Sequence, residues 1–200
     1  MKRLLLHVCC APCLSGCLPP LMKETPWERV LPYAPDFSIQ LFYYNPNIYP
    51  EIEMERRFLE VRKLAHLWGD IPLHWGRYNI GEWFRQSKPM RKEPERGERC
   101  RNCYRLRLRE TFEQAKKGGF DAVASTLTLS PMKNTDAVNE SGEDLQKEFK
   151  IEYLTTDFKK QDGFHRSVKT SHEMALYRQN YCGCFYSLYG DKEMDEPAIG

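Results

Sequence analysis

No stretch of this 200-residue sequence approaches the run of roughly 20 apolar residues that a membrane-spanning helix needs. Only Leu4-Leu5-Leu6 separates Met1-Lys2-Arg3 from His7, too short for the apolar part of a secretory leader, so the chain is expected to be cytoplasmic with no membrane partner. Phosphate-cradling glycine motifs are missing as well. There is no G-x-G-x-x-G, no Walker loop and no Ser-Gly-Gly pyrophosphatase loop after the first apolar run, which argues against chemistry driven by ATP activation. Internal repeats and low-complexity tracts are absent too. Nothing is lacking for a core: 41% hydrophobic and 12% aromatic residues describe an ordinary globular chain, and its length suits one domain over residues 1–200. The net charge is only +2, yet between Arg85 and Arg109 ten Lys or Arg stand against three Glu. Such a run is as readily a solvated helix face as a binding surface. This one encloses Cys100 and Cys103, which points to a polyanion held by phosphate contacts beside a cysteine site.

Apolar patterning alternates between strand and helix along the chain. Residues 3–8 read as a short buried strand running into Cys9-Cys10-Ala11-Pro12-Cys13, and Pro12 suits the first turn of a helix reaching about Met22. Ser38–Tyr44 is a second strand, ended by Asn45-Pro46-Asn47. Helical spacing of Phe58, Val61, Leu64, Ala65 and Trp68 predicts a helix over 50–68. Ile71–Trp75 reads as a strand, Asn79 as a helix cap, Ser87–Arg99 as an exposed loop and Arg101–Lys117 as a strong helix closed by Gly118-Gly119. A β-branched strand over 121–129, a helix over 134–149, a strand over 151–155 and a helix over 164–179 complete the pattern. The alternation predicts an α/β fold, a parallel sheet with helices on both faces and a C-terminal helical extension. Ligands of such sheets gather beyond the carboxyl ends of the strands, so Cys9-Cys10, Asn45-Pro46-Asn47 and Ser130-Pro131 should line one crevice.

The residue type in excess is cysteine. There are eight, and a reducing compartment turns them away from structural disulfides toward metal ligation or redox chemistry. Cys100 and Cys103 sit where a loop enters a helix, where sulfurs at i and i+3 point to one side and the helix N-terminus favours thiolate. Cys9 and Cys10 are adjacent, and both can serve one centre only if the chain turns there, as a strand-to-helix junction does. Together the four make a complete ligand set for a four-iron, four-sulfur cluster. A structural zinc site requires the same four thiolates, and buried packing of Cys9 and Cys10 is a weaker alternative. Cys182-Gly183-Cys184 is a pair that a permissive glycine lets close into a small, easily reduced ring, or else two more metal ligands. Cys13 and Cys17 fall one turn apart on the first helix and are candidates for a second metal ion, or for packing.

Three motifs, His7-Val8-Cys9-Cys10-Ala11-Pro12-Cys13, Tyr43-Tyr44-Asn45-Pro46-Asn47-Ile48 and Ser125-Thr126-Leu127-Thr128-Leu129-Ser130-Pro131, make the chain resemble the cobalamin-independent epoxyqueuosine reductases, called QueH. The closing run from Asp157-Phe158-Lys159-Lys160 to Cys182-Gly183-Cys184 is similar to the same family, so the resemblance covers about residues 3–188. It implies a fold related to the adenine-nucleotide hydrolase-like (HUP) α/β domains. It also implies deoxygenation of epoxyqueuosine in the tRNA anticodon, with Cys9, Cys10, Cys100 and Cys103 on a 4Fe-4S cluster and Cys182 with Cys184 as a redox-active disulfide. Leu14 departs from the small polar residue expected after the C-C-A-P-C run.

The chemistry agrees with the resemblance. Turning an epoxide into an alkene consumes two electrons and two protons, and a cluster commonly passes one electron at a time. A dithiol at Cys182 and Cys184 would hold two, and an iron at Cys13 or Cys17 would polarise the epoxide oxygen instead. An electron donor of unspecified identity is required. Asn45, Asn47 and Tyr49 are candidates for holding the nucleobase, as is Tyr104 for stacking, with a core role its equal alternative. Asp157, Asp162, His165 and His172 are candidate proton donors, each with an ordinary surface role as its alternative. Two other readings compete: a tRNA sulfur-transferase, which the missing pyrophosphatase loop disfavours, and a zinc-stabilised RNA-binding module.

Overall fold

The computed structural model of the chain describes residues 1–24 and 36–190. Five strands, β1 (Lys2–His7), β2 (Phe37–Tyr43), β3 (Leu73–Trp75), β4 (Ala122–Ser125) and β5 (Glu152–Tyr153), form one sheet in the order β3-β2-β1-β4-β5. Every neighbouring pair is parallel. Leu4-Leu5-Leu6 is uninterrupted because β1 is the central strand and is buried on both faces.

Helices α1 (Ala11–Leu21), α2 (Glu51–Leu67), α3 (Ile80–Ser87), α4 (Glu98–Gly118), α5 (Thr135–Phe149), α6 (Gly163–Glu173) and α7 (Phe185–Tyr189) flank this sheet. α1 packs against α2 and α6, and α4 packs against α3 and α5, which makes two helical groups. Local chemistry sets several ends: Asn79 caps α3 through Glu82 N–H at 3.1 Å, and Asn134 caps α5 through Ala137 N–H at 3.1 Å. No described helix is long and apolar enough to cross a membrane.

Strands β3 and β5 are each shorter than expected over 71–75 and 151–155, and three larger differences from the sequence reading bear on the site. The strand expected over 121–129 stops at Ser125, and Thr126–Leu129 is a 3-10 turn. Here hydroxyls take over the backbone: Ser125 Oγ accepts from Leu127 N–H at 3.2 Å, and Thr128 Oγ1 donates to Ser125 carbonyl at 3.4 Å. The loop expected over 87–99 contains a 3-10 turn at Lys88–Met90, and α4 already begins at Glu98. Arg99 organises it, donating to the carbonyls of Arg91 at 2.8 Å and Glu93 at 2.6 Å. The helix expected to reach Gln179 ends at Glu173, where Ala175 turns to a φ of 48° and Leu176 N–H closes on Ser171 carbonyl at 2.8 Å. The chain from 174 to 184 is thereby released from helix and laid across the carboxyl edge of the sheet. Tyr177 hydroxyl donates to Glu53 at 3.0 Å and Tyr181 hydroxyl to Tyr49 carbonyl at 2.8 Å, which pins the segment there.

Candidate metal and redox centre at the carboxyl edge of the sheet

Strand order reverses between β1 and β4, and the crevice of a doubly wound sheet lies at such a reversal. β1 delivers Cys9 and Cys10 to this point. Cys10, in extended conformation, is the N-cap of α1, so the chain turns at the pair as the adjacent cysteines require. Their sulfurs lie 3.8 Å apart despite being sequence neighbours. Cys13 comes round on the first turn of α1, and the sulfurs of Cys9, Cys10 and Cys13 all lie within 4.8 Å of one another. Among the described residues this is the one group of three or more potential metal ligands so close together. Cys17, a turn further on, is fully buried outside that group.

Two neighbours hold these sulfurs in place. Thr126, first residue of the 3-10 turn after β4, accepts from Cys9 N–H at 3.1 Å and donates its hydroxyl to Cys9 Sγ at 3.4 Å. Gln179, in the segment freed from α6, donates to Cys10 Sγ at 3.2 Å. Hydrogen bonds from Cys10 and Cys13, helped by Lys133 and Arg107 against the cost of burial, hold Cys9 well below the usual thiol range. Cys13 is correspondingly raised by its bonds to Cys10 and Cys9 and by burial. Cys17 is raised by burial.

Cys182-Gly183-Cys184 forms the opposite side of the crevice. All eight cysteines are free thiols in this structure. A hydrogen bond from Cys184 favours the Cys182 thiolate over the cost of burial, with Lys133, Arg107 and Arg57 adding positive field, while that bond and burial raise Cys184. The glycine between them is required. Its φ is +114°, and a Cβ there would stand 2.7 Å from Arg57 Nη1. Gly183 carbonyl accepts from Tyr49 N–H at 2.8 Å, Cys184 bridges Ile48, and Arg57 donates to Cys182 carbonyl at 3.1 Å. Cys100 and Cys103 lie at the start of α4. Burial pushes Cys100 up to about 11 and raises Cys103, and both feel the charge of Cys182.

Between Cys13 and Cys182 a pocket of about 180 Å³ opens, with Ser130, Lys133, Arg178 and Asn180 among its polar lining. The expected common edge is therefore present: Ser130 and Pro131 line the pocket with Cys13, and Asn45 Nδ2 donates to Val8 carbonyl at 3.0 Å behind the cysteines. The nucleobase candidates are placed less openly. Asn45 is buried and also accepts a hydrogen bond from Arg107, so both its functional atoms serve the fold. Tyr49 packs edge-on against Phe84 and Phe185, and Tyr104 is buried in the core. Asn47 is buried too, with Oδ1 unpartnered. Asp157, Asp162, His165 and His172 are not among the pocket's lining residues; Asp157 instead accepts from Lys159 N–H at 3.2 Å.

The basic run is largely structural. Arg99 and Arg107 are buried, and Arg101, Arg105 and Arg109 pair with Glu140, Asp144 and Glu148 across the α4–α5 face. What the sequence reading missed is a set of inward-facing polar groups. Arg107 stands four residues after Cys103 and seven after Cys100, the same helical face, so its phase was a usable signal. Lys133 stands two residues after the Ser130-Pro131 motif, another usable signal. Arg57 and Gln179 have no local signature. His7 is neutral: burial, then Arg107, lowers it to about 3, Nε2–H donates to Tyr44 carbonyl at 3.0 Å, and Nδ1 accepts from Ser125 hydroxyl at 2.9 Å.

The family model described as epoxyqueuosine reductase QueH matches residues 4–190, which take in all eight cysteines and every strand but the first two residues of β1. The chain belongs to this family. It is 37% identical to the epoxyqueuosine reductase QueH of Streptococcus pyogenes serotype M1, over 92% of this chain and 69% of that protein. It is 30% identical to that of Thermotoga maritima over 96% and 94%, and 35% identical to that of Haemophilus influenzae over 94% and 72%. The QueH chain described here is thus an oxidoreductase.

Proposed function

We propose that this QueH chain removes the epoxide oxygen of epoxyqueuosine in the tRNA anticodon, the last step of queuosine biosynthesis. The observation that carries the reading is the convergence of family membership with a buried, all-sulfur donor set at the switch point of the sheet. Such a set, free of carboxylate and imidazole, fits iron bound by thiolate and inorganic sulfide. Cys9, Cys10, Cys100 and Cys103 would hold a 4Fe-4S cluster. The packing of Cys13 with Cys9 and Cys10 supports it as a further ligand at the same centre, while a second iron at Cys13 and Cys17 has no such support, because Cys17 lies outside the group. When bound, the cluster would supply single electrons drawn from an external donor. Cys182 and Cys184 would hold two electrons as a dithiol and release them as a disulfide, and the field of Lys133, Arg107 and Arg57 on Cys182 supports that role by favouring the attacking thiolate. The exposed part of the basic run, Lys88 and Lys92 in particular, would meet tRNA phosphates. A single domain in a reducing cytoplasm suits an oxygen-sensitive cofactor of this kind.

Iron and acid-labile sulfide in anaerobically purified protein test the ligand set. Replacing any one of Cys9, Cys10, Cys100 or Cys103 with Ala should remove most of the iron. Full retention in two or more of these variants overturns the assignment, and a colourless wild-type protein carrying zinc overturns the cluster.

A further inference from the structure

The two sulfurs favoured as thiolates, Cys9 and Cys182, belong to opposite walls of the crevice, and two buried cations, Lys133 and Arg107, act on both. Lys133 is only 9% exposed and lines the pocket together with Cys13 and Cys182. Its backbone is fixed on several sides. Lys133 N–H closes a turn on Ser130 carbonyl at 3.2 Å, Arg96 donates to Pro131 carbonyl at 2.9 Å, and the next residue, Asn134, caps α5. Among the described residues no carboxylate lies within 4.0 Å of its ammonium. A buried ammonium without a carboxylate partner is costly unless something else requires its charge.

We propose that Lys133 is a catalytic residue whose ammonium binds the epoxide oxygen in the pocket between Cys13 and Cys182 and carries the negative charge that develops there as the carbon–oxygen bond breaks. This rests on the reductase reading above. Two electrons from the reductant and two protons convert the epoxide to an alkene and water, and both carbon–oxygen bonds break. Charge therefore builds on the one atom that leaves. The pocket's size, about 180 Å³, suits the small group that carries the epoxide rather than a whole nucleoside, because pockets that enclose drug-sized ligands begin at roughly 300 Å³. Lys133 lines this pocket together with Cys13 and Cys182. As an ordinary lysine ammonium, with three donors and no acceptor, it acts as a fixed charge and hydrogen-bond donor rather than as the proton source. Donors preorganised at a developing oxyanion typically contribute about 10²–10³ in kcat.

The test uses holoenzyme of wild type, Lys133→Met and Lys133→Arg, with tRNA bearing epoxyqueuosine and dithionite as reductant. Turnover by the wild type is the separate check on the reductase reading. Lys133→Met should lose about 10²–10³ in kcat with a small change in KM, while keeping iron content and visible spectrum. Lys133→Arg should recover at least part of that loss. An unchanged kcat in Lys133→Met overturns the proposal. Loss of iron or an altered spectrum in both variants also overturns it, assigning the charge to the cofactor instead.

Discussion

Replacing Asn45 with Ala separates a base-binding role from a structural one, because the structure accounts for both ends of its amide. Nδ2 donates to Val8 carbonyl at 3.0 Å, at the point where β1 leads into Cys9, and Oδ1 receives the buried Arg107 guanidinium. Losing the neutral bond costs about 0.5–1.5 kcal/mol and the charge-assisted one about 1.5–3 kcal/mol, and in each case a buried partner is left unpaired. Burial of Asn45 at 3% exposure keeps water from substituting freely. The expected loss is therefore about 2–4.5 kcal/mol, which for a chain of this length lowers Tm by roughly 4–18 °C. Anaerobic circular dichroism melts of the iron-loaded protein measure this directly. The Asn45→Asp variant should be milder, since its carboxylate still accepts from Arg107 while losing the donor to Val8. Should Asn45→Ala melt with the wild type and show only a raised KM for modified tRNA, the side chain faces substrate and the strut argument fails.

Other consequences are checked more briefly. The Cys182→Ser, Cys184→Ser double variant should keep its iron and Tm but lose turnover with a mild reductant; a wild-type rate would mean that electrons bypass the pair. Gly142 lies in the interior of α5, where a Cβ would collide with the Tyr153 ring. Gly142→Ala should therefore destabilise by about 1–3 kcal/mol by overpacking, against the stabilisation that Ala brings to an unhindered helix site. A raised Tm would show that the ring simply steps aside. Lys88→Glu with Lys92→Glu should flatten the salt dependence of tRNA binding by roughly one to two log-log units at unchanged iron content. An unaltered slope would make that loop a bystander.

Element types along this chain were legible because they depend on local pattern. An uninterrupted Leu4-Leu5-Leu6 run announces a central parallel strand, helical spacing announces α2, and strand–helix alternation places the strand ends, with Cys9, Cys10, Asn45 and Ser130, on one edge of a parallel sheet. The resemblance in motifs was also local, and the family model bears it out. Boundaries failed where side chains competed with the backbone. Thr126–Leu129 has strand composition, but its hydroxyls satisfy a 3-10 turn, and that turn puts Thr126 on Cys9. Only tertiary structure decided which groups share the crevice. The helical charge run of α4 mixes Arg101, Arg105 and Arg109, paired outward with α5, with Arg107, turned inward to Asn45 and the cysteines. Net charge per segment is blind to that difference, since it turns on helical phase against a neighbouring element. Likewise Gln179 reaches Cys10, and Cys182 reaches Arg57 of α2, only because α6 ends early and the following segment crosses the carboxyl edge of the sheet. Contacts across 169 residues, such as Gln179 to Cys10, leave no trace in local sequence, because they are set by packing of distant elements rather than by the spacing of their own neighbours.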